Sequence, residues 1–516
     1  MTDLKNLVIK KQYLFCFLSG ILMTVAFTFK ALWWVDFFAL VPFFLVLLSC
    51  EFGIKKMIRY NLFFALGYFV PSIYWLYGIT VLFPVSKILS LLMISIGILL
   101  IGLVQGFYTA AATMFFPSVK SGGFRDVLIF SSLYILGEFL QEYTFFAPFP
   151  WVKAAIPVSE FRAFIQSASL FGVYFVSFLI LFINGSLAFI LLNSQKKNRI
   201  KPILFMLIAV FAVNTGFGAA RIVFSPKNTE FEAVAVQGNY SGLDKWSHSA
   251  AEMFDKYCEL TRNGITPQTR LVVWPETAIS TDINHNTKLK AELTALSSEL
   301  DITIVTGFFT YEDNDMMYNT VAAISPDGSL SQPYNKHSLV PFGEYFPMSN
   351  AFKKFFPAFN ELIENATSIL AGKDFQILDS AAGKMGAIIC YDSIFTDVAR
   401  NNSRLGAQIF VLPSNDSWFG DSSALFQHNS QAVFRAVENN RYLVRASNTG
   451  ISSVISPTGK IITSADTFVP AVISAQVSLI EKRTVYSYIG NIIIFIPLAV
   501  FLWCAFKTAV KILDRK

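Results

Sequence analysis

The sequence predicts a multi-pass α-helical membrane domain joined to a layered α/β domain that lies outside the bilayer. The first observation is composition, because 54% of the 516 residues are hydrophobic and only 15% are charged. Soluble domains carry roughly 25% charged residues, so lipid must solvate part of this chain. This composition excludes a wholly soluble enzyme, a disordered chain and a fibrous protein. The second observation is a change of pattern along the chain, which divides it into residues 1–224, 225–482 and 483–516.

Long apolar segments fill the first and the last of these parts. A helix of about 20 residues crosses the hydrocarbon core of a bilayer, and eight segments are long enough. Six of them contain no Asp, Glu, Lys or Arg, whereas the other two contain Asp36 or the pair Glu138 and Glu142. The predicted spans are 12–29, 31–50, 60–86, 88–119, 126–148, 163–195, 202–220 and 484–506.

The basic residues predict how these spans are oriented. With the amino terminus inside, sixteen Lys and Arg residues fall on the inner segments and four on the short outer segments. Basic residues stay on the cytoplasmic side, so both termini are predicted to be cytoplasmic. Seven crossings then place residues 225–482 on the outer side. The formal net charge of +6 is thus explained by topology, and we expect no nucleic-acid partner.

The central part alternates strand-length apolar runs with helical stretches. The runs are rich in Val and Ile, which is typical of strands. About 250 residues of this alternation indicate one layered α/β domain. The predicted strands are 231–237, 270–276, 302–308, 319–325, 384–391, 408–414, 442–448 and 450–457, and the predicted helices are 247–263, 286–300, 392–404 and 424–440.

Several common catalytic signatures are absent from the sequence. It has no G-x-S-x-G, G-x-x-x-x-G-K-[ST] or H-E-x-x-H motif, and its four histidines lack the spacing of metal ligands. Serine-hydrolase, P-loop and zinc chemistry therefore have no support. Five cysteines are too few for a disulfide scaffold. A Cys258–Cys390 disulfide is conceivable in an oxidising compartment, but a helix position and a strand end do not favour it.

Three residues in the central part have side chains suited to nucleophilic catalysis. Glu276 follows a strand in VVWPETA, Lys336 lies in YNKHSLVPFGEYFP, and Cys390 ends a strand in GAIICYD. A carboxylate accepts the proton of a thiol, and a nearby ammonium stabilises both a thiolate and an oxyanion. Residue types alone leave ordinary alternatives open. Most buried cysteines are inert, and an acid after Trp-Pro also fits a loop or the start of a helix.

The surrounding motifs resemble those of the nitrilase superfamily. The match is carried by WPETA around Glu276, NKHSLVPFGEY around Lys336 and CYDSIF around Cys390, in the same order and at similar separations. Seven predicted spans before this domain and one after it resemble the apolipoprotein N-acyltransferases in particular. So do VQGNY with Trp246, and the run LPSNDSWFGDSSALFQHNSQAVFRAVENNRYLVRASNTG at 412–450.

The resemblance implies an αββα sandwich and a role for each matching residue. Glu276 would be the general base, Lys336 would stabilise the tetrahedral intermediate, and Cys390 would be the nucleophile. Residues that would support the site or bind substrate are Glu344, Tyr391, Asp392, Trp246 and Trp418. One position departs from the family, which usually has Cys-Tyr-Glu where this chain has Cys-Tyr-Asp. The shorter carboxylate at 392 leaves open whether its contacts shift or run through water.

The implied reaction moves the sn-1 acyl chain of a phospholipid to the α-amine of an N-terminal diacylglyceryl-cysteine on a lipoprotein. It proceeds through a Cys390 thioester, needs no cofactor and predicts ping-pong kinetics. The implied partners are a membrane phospholipid donor and a diacylglyceryl-apolipoprotein acceptor. The implied location is the bacterial inner membrane, with a periplasmic catalytic domain. We expect a monomer.

Two alternatives and two uncertain segments remain open. A membrane-anchored nitrilase-like amidase would use the same three residues, and a transporter with an outer binding domain would leave them unexplained. Residues 341–363, which carry Lys353 and Lys354, fit either an interfacial lid or a packing loop. Glu138 and Glu142 lie four residues apart on a predicted span, where acids face a polar interior or an interface.

Overall fold

The computed structural model describes residues 2–82, 86–144, 147–226, 229–242, 244–312, 316–355 and 369–514. Helices fill the chain up to residue 223, two sheets with flanking helices follow, and two helices end it. The helices before residue 224 are α1 (Thr2–Lys10), α2 (Gln12–Thr28), α3 (Asp36–Ala39), α4 (Val41–Ser49), α5 (Ile54–Gly67), α6 (Phe69–Ser72), α7 (Lys87–Thr113), α8 (Arg125–Leu140), α9 (Arg162–Ile165), α10 (Ala168–Phe171), α11 (Val173–Leu192) and α12 (Lys197–Val223).

The later helices flank the two sheets or follow them. They are α13 (Ala250–Gly264), α14 (Thr287–Leu300), α15 (Ser349–Phe355), α16 (Thr396–Arg404), α17 (Ala424–Asn439), α18 (Val485–Ile489) and α19 (Phe495–Leu513). Short 3₁₀ helices cover Lys30–Val35, Tyr74–Leu82, Phe116–Ser118, Gln141–Tyr143, Pro157–Glu160, Asp244–Ser247, Cys390–Ile394, Ser417–Phe419 and Gly490–Ile494.

Within the described residues, five helical segments are long and apolar enough to cross a membrane, by length and composition alone. A sixth is possible if α1 and α2, which meet at an 89° bend, form one span. With the bent pair counted as one span, these segments coincide with six of the eight predicted spans. The five segments other than the bent pair are Lys30–Ser49, Lys87–Ser118, Val173–Leu192, Lys197–Val223 and Val485–Leu513.

The predicted spans 60–86 and 126–148 are not single long helices. In the first, α5 ends at Gly67 because Pro71 lacks the N–H that would bond to the Gly67 carbonyl. The Thr24 hydroxyl of α2 donates to that carbonyl instead, at 2.8 Å. In the second, α8 covers 16 residues and gives way to a 3₁₀ turn. The count of eight crossings therefore stays a prediction.

The α2–α5 contact depends on glycine. A Cβ on Gly20 would lie 2.4 Å from the Phe64 carbonyl, and one on Gly67 would lie 2.3 Å from the Phe17 carbonyl. The two helix backbones meet at a distance that no larger residue permits, as is common where helices pack in membranes.

The region after residue 230 contains two sheets of similar design. In each, three neighbouring strands run parallel and antiparallel strands extend the edges. The first sheet has the order β13-β1-β2-β3-β4-β5 with β6 beside β4, and the second has the order β12-β11-β10-β9-β8-β7. The strands are β1 (Phe231–Gln237), β2 (Thr269–Val273), β3 (Thr303–Tyr311), β4 (Met317–Ile324), β5 (Tyr334–Asn335), β6 (Ile369–Leu370), β7 (Ile377–Ser380), β8 (Gly383–Ala387), β9 (Ile409–Ser414), β10 (Leu443–Ser447), β11 (Ser453–Ile455), β12 (Ile461–Ser464) and β13 (Ala471–Val477).

The parallel strands are buried on both faces, which accounts for their continuous apolar runs. In β1, Ala233 and Ala235 belong to the large core that includes the second sheet. Val234 and Val236 point the other way and pack with residues of α13 and α14. This alternation gives four layers, helix–sheet–sheet–helix.

The outer helix of the second sheet, α17, contacts residues of the part before residue 224, which we call the membrane side. Gln427 accepts a hydrogen bond from the Trp151 indole at 2.8 Å and donates to the Phe27 carbonyl at 3.2 Å. Gln431 donates to the Trp151 carbonyl at 2.9 Å. The α/β domain is thereby joined to the helices before residue 224 through buried polar contacts.

Candidate active site

Glu276 lies in the turn that follows β2. The next residue, Thr277, has a left-handed backbone (φ 47°), and the turn packs directly on β3 at Gly307. A Cβ at Gly307 would lie 2.5 Å from the Thr277 nitrogen, so this close approach requires glycine. Glu276 Oε1 accepts hydrogen bonds from Asn319 Nδ2 at 2.7 Å and from Lys336 Nζ at 2.9 Å. The carboxylate is thus held from two sides, and its 5% exposure keeps it from bulk water.

Lys336 follows the short strand β5 and lies between two carboxylates. Its Nζ donates to Glu276 Oε1 at 2.9 Å and to Glu344 Oε1 at 2.8 Å. Glu344 is fixed in turn by the Val340 N–H, which donates to its Oε2 at 2.8 Å. Among the residues that the structure describes, these contacts use two of the three ammonium N–H groups, which leaves one for a substrate oxygen.

Cys390 comes three residues after the end of β8, at the first position of a 3₁₀ helix. Its backbone is left-handed (φ 47°), a conformation that costs a non-glycine residue about 1–2 kcal/mol. Such strain persists only where the surroundings enforce it, and it occurs often at functional sites. The structure leaves all five cysteines free, so no Cys258–Cys390 disulfide forms.

The three predicted residues influence one another's protonation. Burial raises the pKa of the Cys390 thiol above its usual value, the charge of Glu276 raises it further, and Lys336 opposes both. Burial alone would raise the pKa of Glu276, but the Lys336 and Asn319 contacts hold it below its usual value. Glu276 and Glu344 keep the pKa of Lys336 above its usual value despite burial. The resting site therefore holds a thiol beside an ionised carboxylate and an ammonium.

Asp392 reaches its partners directly despite its short side chain. It accepts hydrogen bonds from the Tyr334 hydroxyl at 2.9 Å, the Ser338 N–H at 2.7 Å and the Ile389 N–H at 3.1 Å. It thus joins the segment after Lys336 to the residue before Cys390. Burial raises the pKa of Asp392 to about 6, although Lys336 and these hydrogen bonds oppose the shift.

A reaction in which Cys390 is the nucleophile should slow in acid because of this carboxyl. Below pH 6 Asp392 is protonated and accepts fewer hydrogen bonds, so the rate should rise as pH increases through about 6. We expect Asp392→Asn to react slowly with an activated ester such as p-nitrophenyl butyrate and to lose this dependence on pH. The single-turnover rate with that ester, measured from pH 5 to pH 8, checks this. An unchanged pH dependence in Asp392→Asn would assign it to another group.

The three predicted aromatic residues differ in how well the structure defines their contacts. The Tyr391 hydroxyl donates to the Pro148 carbonyl at 2.9 Å, and its ring stacks near Phe149. Trp418 is half-buried and lies close to Gly242. The side chain of Trp246 lies outside the part of the chain that the structure describes. Tyr391 therefore links the cysteine segment to the membrane side, and the roles of both tryptophans stay predictions.

A buried polar network beneath Cys390 was not predicted from the sequence. His428 Nε2 lies 3.1 Å from the Cys390 carbonyl and 2.9 Å from Ser393 Oγ. Its Nδ1 lies 2.9 Å from both Asp416 Oδ1 and Arg445 Nη2, and Arg445 lies 2.5 Å from Asp416 Oδ2. Arg445 holds the pKa of Asp416 low, and burial together with Arg445 lowers the pKa of His428.

This network lies directly against Cys390. The thiol, Asp416 and His428 bring their donor atoms within 4.8 Å of one another, a spacing that a metal ion also uses. Here the Arg445 guanidinium already lies against both polar partners. The contact of His428 Nε2 with the Cys390 carbonyl, at 3.1 Å, holds the backbone of the cysteine.

Two further residues that contact Glu276 were also not predicted from the sequence. Asn319 lies in the middle of β4, and Lys245 donates to the Glu276 carbonyl at 3.0 Å from a 3₁₀ turn. An amide within a strand and a lysine in a turn belong to no recognisable sequence motif, so sequence reasoning could not single them out.

Comparisons with known proteins cover most of the chain. The sequence profile described as "Apolipoprotein N-acyltransferase N-terminal domain" matches residues 19–186, and the profile described as "Carbon-nitrogen hydrolase" matches residues 233–485. The apolipoprotein N-acyltransferase of Geobacter metallireducens is 29% identical over 496 residues, which are 94% of this chain and 92% of that protein. That of Haemophilus influenzae is 26% identical over 505 residues, with 95% and 93% covered.

Among solved structures, a carbon–nitrogen hydrolase from Helicobacter pylori G27 matches with 18% identity and a TM-score of 0.37. The match covers 48% of this chain and 89% of that one. The two profiles account for the helical and the α/β parts separately, and the relatives span both parts at once. The chain belongs to the apolipoprotein N-acyltransferase family of acyltransferases and carries the carbon–nitrogen hydrolase domain of the nitrilase superfamily.

Proposed function

We propose that this enzyme moves the sn-1 acyl chain of a membrane phospholipid to the N-terminal amine of diacylglyceryl-cysteine on lipoproteins, through a thioester on Cys390. The observation that carries the proposal is the position of the thiol. The charges of Glu276 and Lys336 both act on the Cys390 thiol, and the hydroxyl of its neighbour Tyr391 donates a hydrogen bond to the Pro148 carbonyl on the membrane side. A nucleophile at that junction suits a substrate whose ester lies at the bilayer surface.

The first half-reaction forms the acyl-enzyme. Glu276 takes the thiol proton as the sulfur of Cys390 attacks the ester carbonyl carbon. The negative charge that develops on the carbonyl oxygen is stabilised by the free N–H of Lys336. When the carbon–oxygen bond breaks, Glu276 returns the proton to the leaving oxygen, and lysophospholipid departs. A thiol whose pKa is raised needs a base at the moment of attack, which is the role given to Glu276.

The second half-reaction transfers the chain to the lipoprotein. The amine nitrogen attacks the thioester carbonyl, and Glu276 accepts a proton from that nitrogen. The carbon–sulfur bond then breaks, an amide is formed, and the proton returns to the sulfur of Cys390. The same three side chains serve both steps, so donor and acceptor use the site in turn and the kinetics are ping-pong.

A labelled donor tests this proposal. Incubation with phospholipid labelled in its sn-1 chain should leave label on the protein, and hydroxylamine should remove it as expected for a thioester. Mass spectrometry should locate the chain on Cys390. Addition of a diacylglyceryl-cysteine peptide should then discharge the label as an amide. An amidase for small amides and a transporter both predict an unlabelled protein, so absence of label would favour them.

Lys336→Met should slow acylation by roughly 100- to 1000-fold, the cost of losing one oxyanion donor. The change also leaves Glu276 and Glu344 without their shared cation, so the Tm must be measured alongside the single-turnover rate. The double variant Lys336→Met/Glu344→Gln removes one of the two charges and serves as the control. A loss below tenfold in a folded variant would demote Lys336 to a structural role.

The proposal includes a topology in the bacterial inner membrane. Eight crossings would leave both termini in the cytoplasm and residues 225–482 in the periplasm, between membrane parts 1–224 and 483–516. The six candidate spans and the distribution of basic residues support it. One segment failing to cross would move the α/β domain to the cytoplasm, away from lipoprotein amines. We propose a monomer as the working state.

A cysteine at position 284 should report on this topology. Asn284 is exposed in the turn before α14, so a thiol there is accessible to reagents. With the native cysteines replaced, Asn284→Cys should react with a membrane-impermeant maleimide in intact spheroplasts. A cysteine placed at Lys197, on a predicted inner segment, should react only after lysis. Labelling of position 284 only after lysis would refute the periplasmic placement.

A further inference from the structure

The segment that carries the nucleophile is held by residues of the membrane side. Lys153 Nζ donates to the Ile394 carbonyl at 2.9 Å. Glu142 Oε2 accepts a hydrogen bond from the Thr396 hydroxyl at 2.8 Å. Asn491, in the part after residue 482, also donates from Nδ2 to the Thr396 hydroxyl at 2.9 Å. Side chains from outside the α/β domain therefore hold residues 390–396 at Ile394 and Thr396, in addition to the Tyr391 contact.

Lys153 and Glu142 form one buried unit. Lys153 Nζ lies 3.5 Å from Glu142 Oε1, and both side chains are essentially inaccessible to solvent. Lys153 also donates to the Pro150 carbonyl at 2.6 Å, which ties the ammonium to its own backbone. Burial lowers the pKa of Lys153 to about 8, with Glu142 opposing the shift. Nearby charges come from α17, where Arg435 and Glu438 pair at 3.0 Å.

Stability is a weak explanation for this pair. The desolvation of a buried ammonium and carboxylate costs several kcal/mol each, and apolar replacements of such pairs are often neutral or stabilising. A geometric role accounts for it better. Cys390 has a strained left-handed backbone, and strain of this kind needs neighbours that define the conformation.

We infer that Lys153 and Glu142 are positioning residues that hold segment 390–396, so that the Cys390 thiol faces Glu276 and Lys336. Neither side chain touches Cys390, and each acts through Ile394 or Thr396. The inference rests on the proposed role of Cys390 as the nucleophile. It also means that the membrane domain completes the active site as well as anchoring it.

Thr396 provides a matched pair of variants. Thr396→Val keeps the shape but removes the hydroxyl that donates to Glu142 and accepts from Asn491, whereas Thr396→Ser keeps the hydroxyl. The Lys153 and Glu142 variant below leaves the Asn491 contact in place and so isolates the Glu142 contribution. In the full-length enzyme we expect Thr396→Val to acylate about 10-fold more slowly with an unchanged KM for phospholipid, and Thr396→Ser to match the parent. Misplacement of a reacting group by about 1 Å costs up to roughly 100-fold in rate. The double variant Lys153→Met/Glu142→Gln, which leaves no unpaired charge between these two positions, should lose about 10- to 100-fold at an unchanged Tm.

The acylation rate is measured with two donors, labelled phospholipid and p-nitrophenyl butyrate, whose burst of nitrophenolate reports acylation without a lipid substrate. Slow acylation with both donors in Thr396→Val, restored in Thr396→Ser, supports positioning. A rate within twofold of the parent in Thr396→Val, or equal losses in both Thr396 variants, overturns it. A parent that gives the burst but takes no label from phospholipid refutes the proposed function alone, and the burst rates still decide the inference. A parent that gives neither overturns both.

Discussion

Replacement of Cys390 by serine is expected to remove nearly all acyl transfer while the protein still folds and inserts. Serine is almost isosteric with cysteine, so packing at this buried position should be preserved. A hydroxyl is a far poorer nucleophile than a thiol at neutral pH, and Glu276, whose pKa is held low, is a weak base toward it. We expect a loss of roughly 1000-fold or more, the scale on which removal of a covalent nucleophile acts.

The measurement compares turnover, acyl label and Tm in Cys390→Ser and in a control, Cys258→Ser. Cys258 lies in α13 of the same domain, away from the cluster around Lys336. The control should keep full activity and full label. Turnover of Cys390→Ser within tenfold of the parent would remove Cys390 from the mechanism, and loss of Tm would show that the substitution is not conservative.

The sequence singled out Glu276 and Cys390 because they follow predicted strands, and it singled out Lys336 by its motif alone. Glu276, Lys336 and Cys390 lie just beyond β2, β5 and β8 in recognisable motifs, and the structure brings Glu276 and Lys336 into direct contact. Their catalytic roles stay predictions. Their supports were not visible, because Asn319 is an ordinary mid-strand residue and Lys153 belongs to a different part of the chain. Contacts between distant segments of the chain leave no local pattern.

The fold likewise contains elements that the sequence predicted and others that it missed. All eight apolar runs contain strands, because strands buried on both faces need continuous hydrophobic sequence. Five strands were missed. Two of them, β5 and β6, have two residues each, and β12 alternates between half-buried and exposed positions at the sheet edge. Among the membrane helices, hydropathy cannot report that Pro71 breaks the stretch 60–86, since a broken helix is as apolar as a straight one.

Glu276 has two proposed effects on the thiol: it accepts the thiol proton, and its charge raises the thiol pKa. Glu276→Gln is expected to separate them. Glutamine keeps the size and still accepts hydrogen bonds from Asn319 and Lys336, so the fold should be preserved. It cannot take the thiol proton, and loss of a general base typically costs 100- to 10,000-fold. We therefore expect acyl-enzyme formation from phospholipid to fall by roughly that factor.

The same change should make the thiol more acidic. The charge of Glu276 raises the pKa of Cys390, so its removal leaves Lys336 to favour the thiolate. The Gln variant should react faster than the parent with a small reagent such as methyl methanethiosulfonate at pH 8, even as enzymatic acylation slows. Because the Gln variant has no general base, its acylation depends on the fraction of Cys390 that is already a thiolate. Its acylation rate should therefore rise with pH. Rapid acylation of Glu276→Gln at pH 7 would show that another group takes the proton, and equal slowing toward both reagents would indicate a displaced thiol.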